Sequence, residues 1–317
     1  GPGGALVEVA ACGLCYHDVS VMRGVLRRGV KPDVILGHEI SGRVVEIGDS
    51  VTTVGVGDRV TATLTTFCGK CRRCRDGKEY RCYSGQGIGH AIDGGFAEYV
   101  ALPESALVPI SDELDLVQAS VLACPMGVAL QAVRDVAQVQ AGETALVTGA
   151  GGGLGVHAAQ IASSLGARVL AVTMSPEKVE ALERLACGEV VLANELDFSE
   201  FALALTEDQG VDIVVDTVGS AVFRSSLASL AQFGRIVLTG ETTGERVSLS
   251  LTEMLFRDAT VVGSTGAGRR HVADVAGMVG SGVVRPVVSQ RFALEEAAVA
   301  YRLMRTRRTF GRVVLVP

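Results

Sequence analysis

Ala145-Leu146-Val147-Thr148-Gly149-Ala150-Gly151-Gly152-Gly153-Leu154-Gly155 runs an apolar strand into a glycine-rich turn, and an apolar stretch of helical texture, Val156 to Leu165, follows. A glycine run alone is weak evidence. Strand, turn and helix in succession are stronger, because missing side chains let the backbone and a helix N-terminus approach a pyrophosphate. Outward from this stretch the same rhythm repeats: the apolar runs Arg168 to Thr173, Glu189 to Leu192, Asp212 to Asp216, Arg235 to Thr239 and Thr260 to Gly263 alternate with helical segments. Six such strands predict a doubly wound parallel sheet in an α/β chain.

The flanks differ. Up to about Ser120, short Val-rich runs of period two (Ala5 to Ala10, Gly42 to Ile47, Asp58 to Thr63, Phe96 to Leu102) are divided by Gly, Pro and Asp turns, as in a β-barrel with few helices. After Gly266 come an amphipathic segment His271 to Val279, an apolar run Val283 to Val288, a helical stretch Leu294 to Met304 and a final strand Gly311 to Val316. The tail is closer in texture to the first segment than to the middle.

A length of 317 residues suits two domains, each with its own core. Net charge is -6, which argues against nucleic-acid binding, since neutralising phosphate needs clustered cations. No apolar stretch approaches the roughly 20 residues of a membrane span, and Gly1-Pro2-Gly3-Gly4 lacks the character of a signal peptide, so a cytoplasmic protein is expected. The chain enters directly into the apolar run Ala5 to Ala11 without an initiator Met, and its natural start is expected upstream.

Cys68-Gly69-Lys70-Cys71-Arg72-Arg73-Cys74, followed by Cys82, reads C-x-x-C-x-x-C-x7-C. Four thiolates at that spacing close a tetrahedral shell and select zinc or an iron-sulfur cluster. Arg72, Arg73 and Arg75 can offset the thiolate charge or simply be solvated. A closed shell leaves no position for substrate, so this metal is expected to hold a lobe in shape, and chemistry must lie elsewhere.

The remaining donors are scattered: Cys12 and Cys15 in Cys12-Gly13-Leu14-Cys15-Tyr16-His17-Asp18, His38 and Glu39 after Gly37, and Cys124 in Leu122-Ala123-Cys124-Pro125. Each alone is more simply a buried thiol or a satisfied core histidine. Together, in order with Gly57-Asp58-Arg59-Val60, the four-cysteine knuckle, Asp93-Gly94-Gly95-Phe96-Ala97-Glu98-Tyr99, the glycine turn and the closing Gly311-Arg312, the chain resembles the zinc-dependent medium-chain alcohol dehydrogenase family over essentially its whole length.

That resemblance implies a GroES-like β-barrel catalytic domain over 1–122 and 266–317, carrying the structural zinc lobe, and a Rossmann dinucleotide-binding domain over 123–265. It implies Cys15, His38 and Cys124 as ligands of a catalytic zinc, with Glu39 behind the metal and Asp18 orienting an imidazole ligand. Two zinc ions per chain are expected. Cys12 is not a ligand in this pattern, and Cys187 has no role. The family usually carries Ser or Thr two positions after the ligand cysteine, where the hydroxyl starts a proton relay. Here stands His17, which either carries protons or only lines the pocket.

The family's cofactor fingerprint falls on Ala150-x-Gly152-x-x-Gly155, with Ala replacing the first Gly, as in its quinone-reductase and acyl-CoA-reductase branches. Gly149, Ala150, Gly152, Gly153, Leu154, Gly155 and Arg312 are the implied cofactor contacts. The second strand ends in Thr173, where an NAD-preferring chain carries an acid. With Ser175 and Lys178 nearby, this favours NADP(H), with NAD(H) the alternative; Ser175-Pro176-Glu177 also reads as a helix start.

The implied reaction interconverts an alcohol and an aldehyde or ketone by hydride transfer. The alternative is NADPH-dependent reduction of a conjugated double bond such as that of acryloyl-CoA, whose phosphates Arg27, Arg28, Arg269 and Arg270 could meet. A non-catalytic nucleotide-binding or structural role ranks below both. A small-molecule substrate and a homodimer or homotetramer joined at the Thr260 to Gly263 edge are expected, with no nucleic-acid or membrane partner.

Overall fold

The computed structural model describes residues 1–317 in full. Thirteen strands follow in chain order: β1 (Gly4–Gly13), β2 (Glu39–Ile47), β3 (Arg59–Ala62), β4 (Tyr99–Pro103), β5 (Leu107–Pro109), β6 (Thr144–Val147), β7 (Arg168–Thr173), β8 (Glu189–Leu192), β9 (Val211–Asp216), β10 (Leu230–Leu238), β11 (Thr260–Gly263), β12 (Val288–Ala293) and β13 (Arg312–Val316). They divide into two compact units, Gly1–Gly127 with Gly266–Pro317, and Val128–Thr265.

In the first unit β12, β13, β1, β2, β3 and β5 pair in that order, and β4 adds to β1. All pairs are antiparallel except β12 with β13. Burial alternates along most of β1, because one face packs on a core that includes Val7, Val9, Val44, Val60, Leu102 and Leu107. Its last three residues, Ala11, Cys12 and Gly13, are buried on both faces, and there the strand enters the candidate site. Of the apolar run 283–288 only Val288 joins a strand, which begins beyond Pro286, a residue without the N–H a ladder needs.

In the second unit the order is β11-β10-β9-β6-β7-β8, all parallel. Strand β7 is buried from its second residue to its last, as expected where helices cover both faces. The order reverses between β6 and β9, the place where open parallel sheets bind ligands. Asp216 closes that point. Its carboxylate accepts from Thr148 Oγ1 (2.9 Å), the Val218 and Gly219 N–H groups (2.9 Å each) and Ser226 Oγ (3.2 Å), locking the ends of β6 and β9 together.

The chain leaves the first unit after Gly127 and returns at Gly266. These points are neighbours: a Cβ placed on Gly127 would stand 3.1 Å from that of Ala267. No helix is long and apolar enough to cross a membrane.

Candidate metal centres and cofactor turn

Three segments converge at the end of β1. Beyond Gly13 the chain turns, and Cys15 stands at the N-cap of a helix, Tyr16–Met22. Asp18, fully buried three residues on, accepts the Cys15 N–H at 2.9 Å, which fixes the turn that presents Cys15. Glu39 opens β2 directly across from Gly13. Only glycine fits there, because a Cβ on residue 13 would lie 2.1 Å from Glu39 Oε2. Cys124 comes from Leu122–Gly127, a wide helical turn with Pro125 inside it. Proline has no N–H to donate, and the Met126 N–H reaches five residues back to Val121 O (3.2 Å), an insertion common at functional sites.

One donor atom each from Cys15, His38, Glu39 and Cys124 lies within 4.8 Å of all the others. Cys12, though buried, belongs to no such group. Arg312 lies among these donors, with Nη2 at 2.9 Å from Glu39 Oε1 and 3.9 Å from Cys124 Sγ. The resemblance implies a cofactor contact for Arg312; in the structure its guanidinium also supplies positive charge to this cluster. The Cys124 thiol, followed by Arg312, holds Cys15 well below the usual thiol range. Burial pushes the Glu39 carboxyl up to about 7 despite Arg312. Burial also works against charge on His38, but the Asp18 carboxylate, 3.4 Å from Nδ1, more than offsets it and raises the imidazole above its ordinary value.

The donor chemistry fits zinc. Two sulfurs and an imidazole make an open, three-ligand zinc set, an adjacent buried carboxylate lacks a partner at Oε2, and Asp18 orients the His38 ring. His17 reaches the same place: it forms a second group with Asp18 and His38 within 4.8 Å, and its ring stands edge-on to His38 at 5.0 Å. Burial, then His38, lowers its pKa. On its other side lies His90, 5.3 Å away, a residue that no motif in the sequence marked.

Cys68, Cys71, Cys74 and Cys82 form the other group, again within 4.8 Å of one another. A short helix, Arg72–Arg75, and a single turn, Glu79–Arg81, carry the chain between them. The Cys68 N–H points to Cys82 Sγ and the Cys71 N–H to Cys68 Sγ, both at 3.4 Å. Burial opposes ionisation of Cys82, but bonds from Ser84 and the Cys68 N–H outweigh it and lower the thiol to about 6. Arg73 stacks over the Tyr83 ring at 4.4 Å and Arg72 pairs with Asp76 at 3.6 Å. Arg27 and Arg28 sit on the exposed loop after the Tyr16–Met22 helix, and Arg269 and Arg270 begin the helix Arg269–Gly280.

In the second unit, β6 runs into the turn and then the helix Gly155–Ser164. A Cβ on Gly155 would lie 2.3 Å from Gly149 O, so glycine alone lets the turn close on the helix. The Ala150 N–H donates to Val172 O (2.9 Å) and the Gly152 N–H to Gly149 O (2.8 Å). Gly153 O meets His157 Nδ1 at 2.6 Å, and Leu154 is the helix N-cap. Thr173 ends β7 buried, its hydroxyl accepting the Ser175 N–H at 3.2 Å. Lys178 lays its stem over Gly151, and burial lowers its ammonium pKa.

The family described as "Alcohol dehydrogenase GroES-like domain" matches residues 1–112, and that described as "Zinc-binding dehydrogenase" matches residues 153–280. The chain is 34% identical over 314 residues to an acryloyl-coenzyme A reductase of Metallosphaera sedula, covering 99% of this chain and 92% of that protein. It is 34% identical over 325 residues to an NAD-dependent alcohol dehydrogenase of Saccharolobus solfataricus, covering 98% and 92%. A solved NAD-dependent alcohol dehydrogenase superposes with a TM-score of 0.95 at 34% identity, over 100% of this chain and 92% of its own.

Proposed function

Because the chain belongs to the zinc-binding dehydrogenases with an alcohol dehydrogenase GroES-like domain, and is an NAD(P)-linked oxidoreductase of that family, we propose that it interconverts an alcohol with an aldehyde or ketone at the Cys15, His38 and Cys124 site. The observation that carries this reading is the complete open donor set beside buried Glu39 and Arg312. When bound, zinc supplies Lewis-acid polarisation of the oxygen, and the nicotinamide supplies or takes the hydride. Asp18 orients His38, Arg312 balances the thiolate charge, and His17 stands where a proton leaving the substrate oxygen would first be taken up.

The four-cysteine lobe holds a second zinc in this reading, giving two per chain. Gly149, Ala150, Gly152, Gly153, Leu154 and Gly155 cradle the pyrophosphate. NADP(H) is preferred over NAD(H), because β7 ends in Thr173, with Ser175 and Lys178 beside it and no carboxylate to repel a 2'-phosphate. The protein works as a homodimer or homotetramer. Edge strand β11 and the exposed Leu251, Leu255 and Phe256 (78, 70 and 75% accessible) support that, and solution mass tests it. Eight unpaired cysteines suit a reducing cytoplasm.

A second reading, reduction of a conjugated thioester, is favoured by the likeness to the Metallosphaera enzyme. Nicotinamide absorbance on zinc-loaded protein separates the two, with NADPH and NADH each offered a carbonyl panel and acryloyl-CoA. Turnover of aldehydes or ketones supports the proposal, and turnover confined to acryloyl-CoA replaces it. Zinc analysis should give near two ions per chain, falling to near one in both C15S and C71S. One ion that C71S removes and C15S leaves would exclude the catalytic metal site.

A further inference from the structure

His90 is held in one place and one tautomer. Its Nε2 lies 3.0 Å from the carbonyl oxygen of Arg28, and its own carbonyl accepts the Lys31 N–H at 2.8 Å. A carbonyl oxygen can only accept, so Nε2 carries the proton, and in the neutral ring Nδ1 is then a bare acceptor. That Nδ1 is shielded from solvent and has no hydrogen-bond partner in the protein. The same holds for Nδ1 of His17, whose ring centroid is 5.3 Å away and which in turn touches His38 at 5.0 Å.

Leaving a buried polar atom unmet is costly, and a fold keeps such an atom where something else satisfies it. Two unmet imidazole nitrogens on neighbouring rings, the first of them beside the donor cluster, are poorly explained by packing alone, since an apolar ring would pack without the penalty. The acceptor at His90, one ring beyond the His17 ring that stands against His38, calls for a donor, an O–H or N–H.

We infer that His17 and His90 form a hydrogen-bonding subsite that selects substrates bearing a second hydroxyl or amide N–H close to the alcohol or carbonyl. This rests on the alcohol dehydrogenase reading and specifies its substrate class. His90 is a specificity residue here and takes no part in hydride transfer.

Three matched alcohols test it on the zinc-loaded enzyme: 2-butanol, 2,3-butanediol and 3-methoxy-2-butanol, the last able to accept but not to donate at the second position. The expected result is a kcat/KM about tenfold higher for the diol than for the other two, carried by KM, which corresponds to one hydrogen bond of about 1.4 kcal/mol. H90Q keeps an amide to donate to Arg28 O and removes the Nδ1 acceptor, and should bring the three values together while zinc content stays that of the wild type. A wild-type enzyme that treats diol and methoxy ether alike overturns the inference, as does a diol preference that survives in H90Q. Binding of the same alcohols without nicotinamide, followed by saturation-transfer NMR, separates the two levels. Diol-selective binding lost in H90Q, without turnover of any alcohol, keeps the subsite and refutes the reaction; turnover without selectivity does the reverse.

Discussion

Glu79 Oε1 accepts the backbone N–H of Arg269 at 2.8 Å, joining the four-cysteine lobe to the start of the helix Arg269–Gly280. Glu79 lies in the spacer between Cys74 and Cys82, so the spacer fastens the lobe to the helix that follows the return of the chain to the first unit. A carboxylate at a helix start satisfies an otherwise orphaned N–H and faces the positive end of the helix dipole. E79A should cost about 1 kcal/mol, read as a fall in Tm of about 2 °C, with zinc content unchanged. In C71S, amide exchange of Val272 to Val275 should quicken, because the lobe no longer presents Glu79.

Arg312 is the positive charge beside fully buried Glu39 and half-buried Cys124. R312Q removes it and leaves a buried carboxylate uncompensated. The expected loss is about 3 kcal/mol of stability, measured by denaturant titration, with faster zinc release to a chelator. R312K should recover only part of it, since an ammonium lacks the fork that spans both neighbours.

The proposed preference for NADP(H) rests on Thr173 at the end of β7. T173D can still accept the Ser175 N–H, so the turn after β7 should survive. Its charge would repel a 2'-phosphate. The ratio of kcat/KM for NADPH over NADH should fall at least about tenfold. An unchanged ratio would place the choice elsewhere.

Glu241 gathers the N–H groups of Ser220 (2.9 Å), Thr243 and Gly244 (2.8 Å each) and the Ser220 hydroxyl (2.8 Å). Burial raises its pKa, but these bonds outweigh burial and lower it to about 2 from an ordinary 4.5. A carboxyl depressed on folding stabilises fully above its unfolded value, and the contribution fades as pH falls from about 4.5 toward 2. E241Q should therefore melt below wild type at pH 7, and the gap should narrow by pH 4. Solvent screening at this exposed position keeps the effect small.

The doubly wound sheet was legible because its strands read as short apolar runs between glycine turns and helical segments, the central ones being buried on both faces. Arg168 to Thr173, Glu189 to Leu192 and Thr260 to Gly263 are strands at those very limits. The donors of both clusters were legible by type, since thiols and imidazoles in that order are rare by chance. What the structure adds depends on long-range packing. Arg312 meets Glu39 only because β13 lies next to β1 and β1 next to β2. His90 is brought to His17 by a loop without regular structure, and Glu79 acts through its distance from residue 269, which no local pattern encodes. The wide turn at Cys124 escaped notice because a proline ordinarily signals the end of a helix.

The chain departs at Gly127 and comes back at Gly266 beside it, so the 138 residues from Val128 to Thr265 hang from the rest by two adjacent stems. A segment tethered this way is a cassette. It can be lifted out by joining its two stems, or exchanged for another of the same kind, without rethreading the barrel that carries the metal ligands. Evolution could thus trade nucleotide preference and substrate chemistry separately, and a protein engineer can transplant one without redesigning the other.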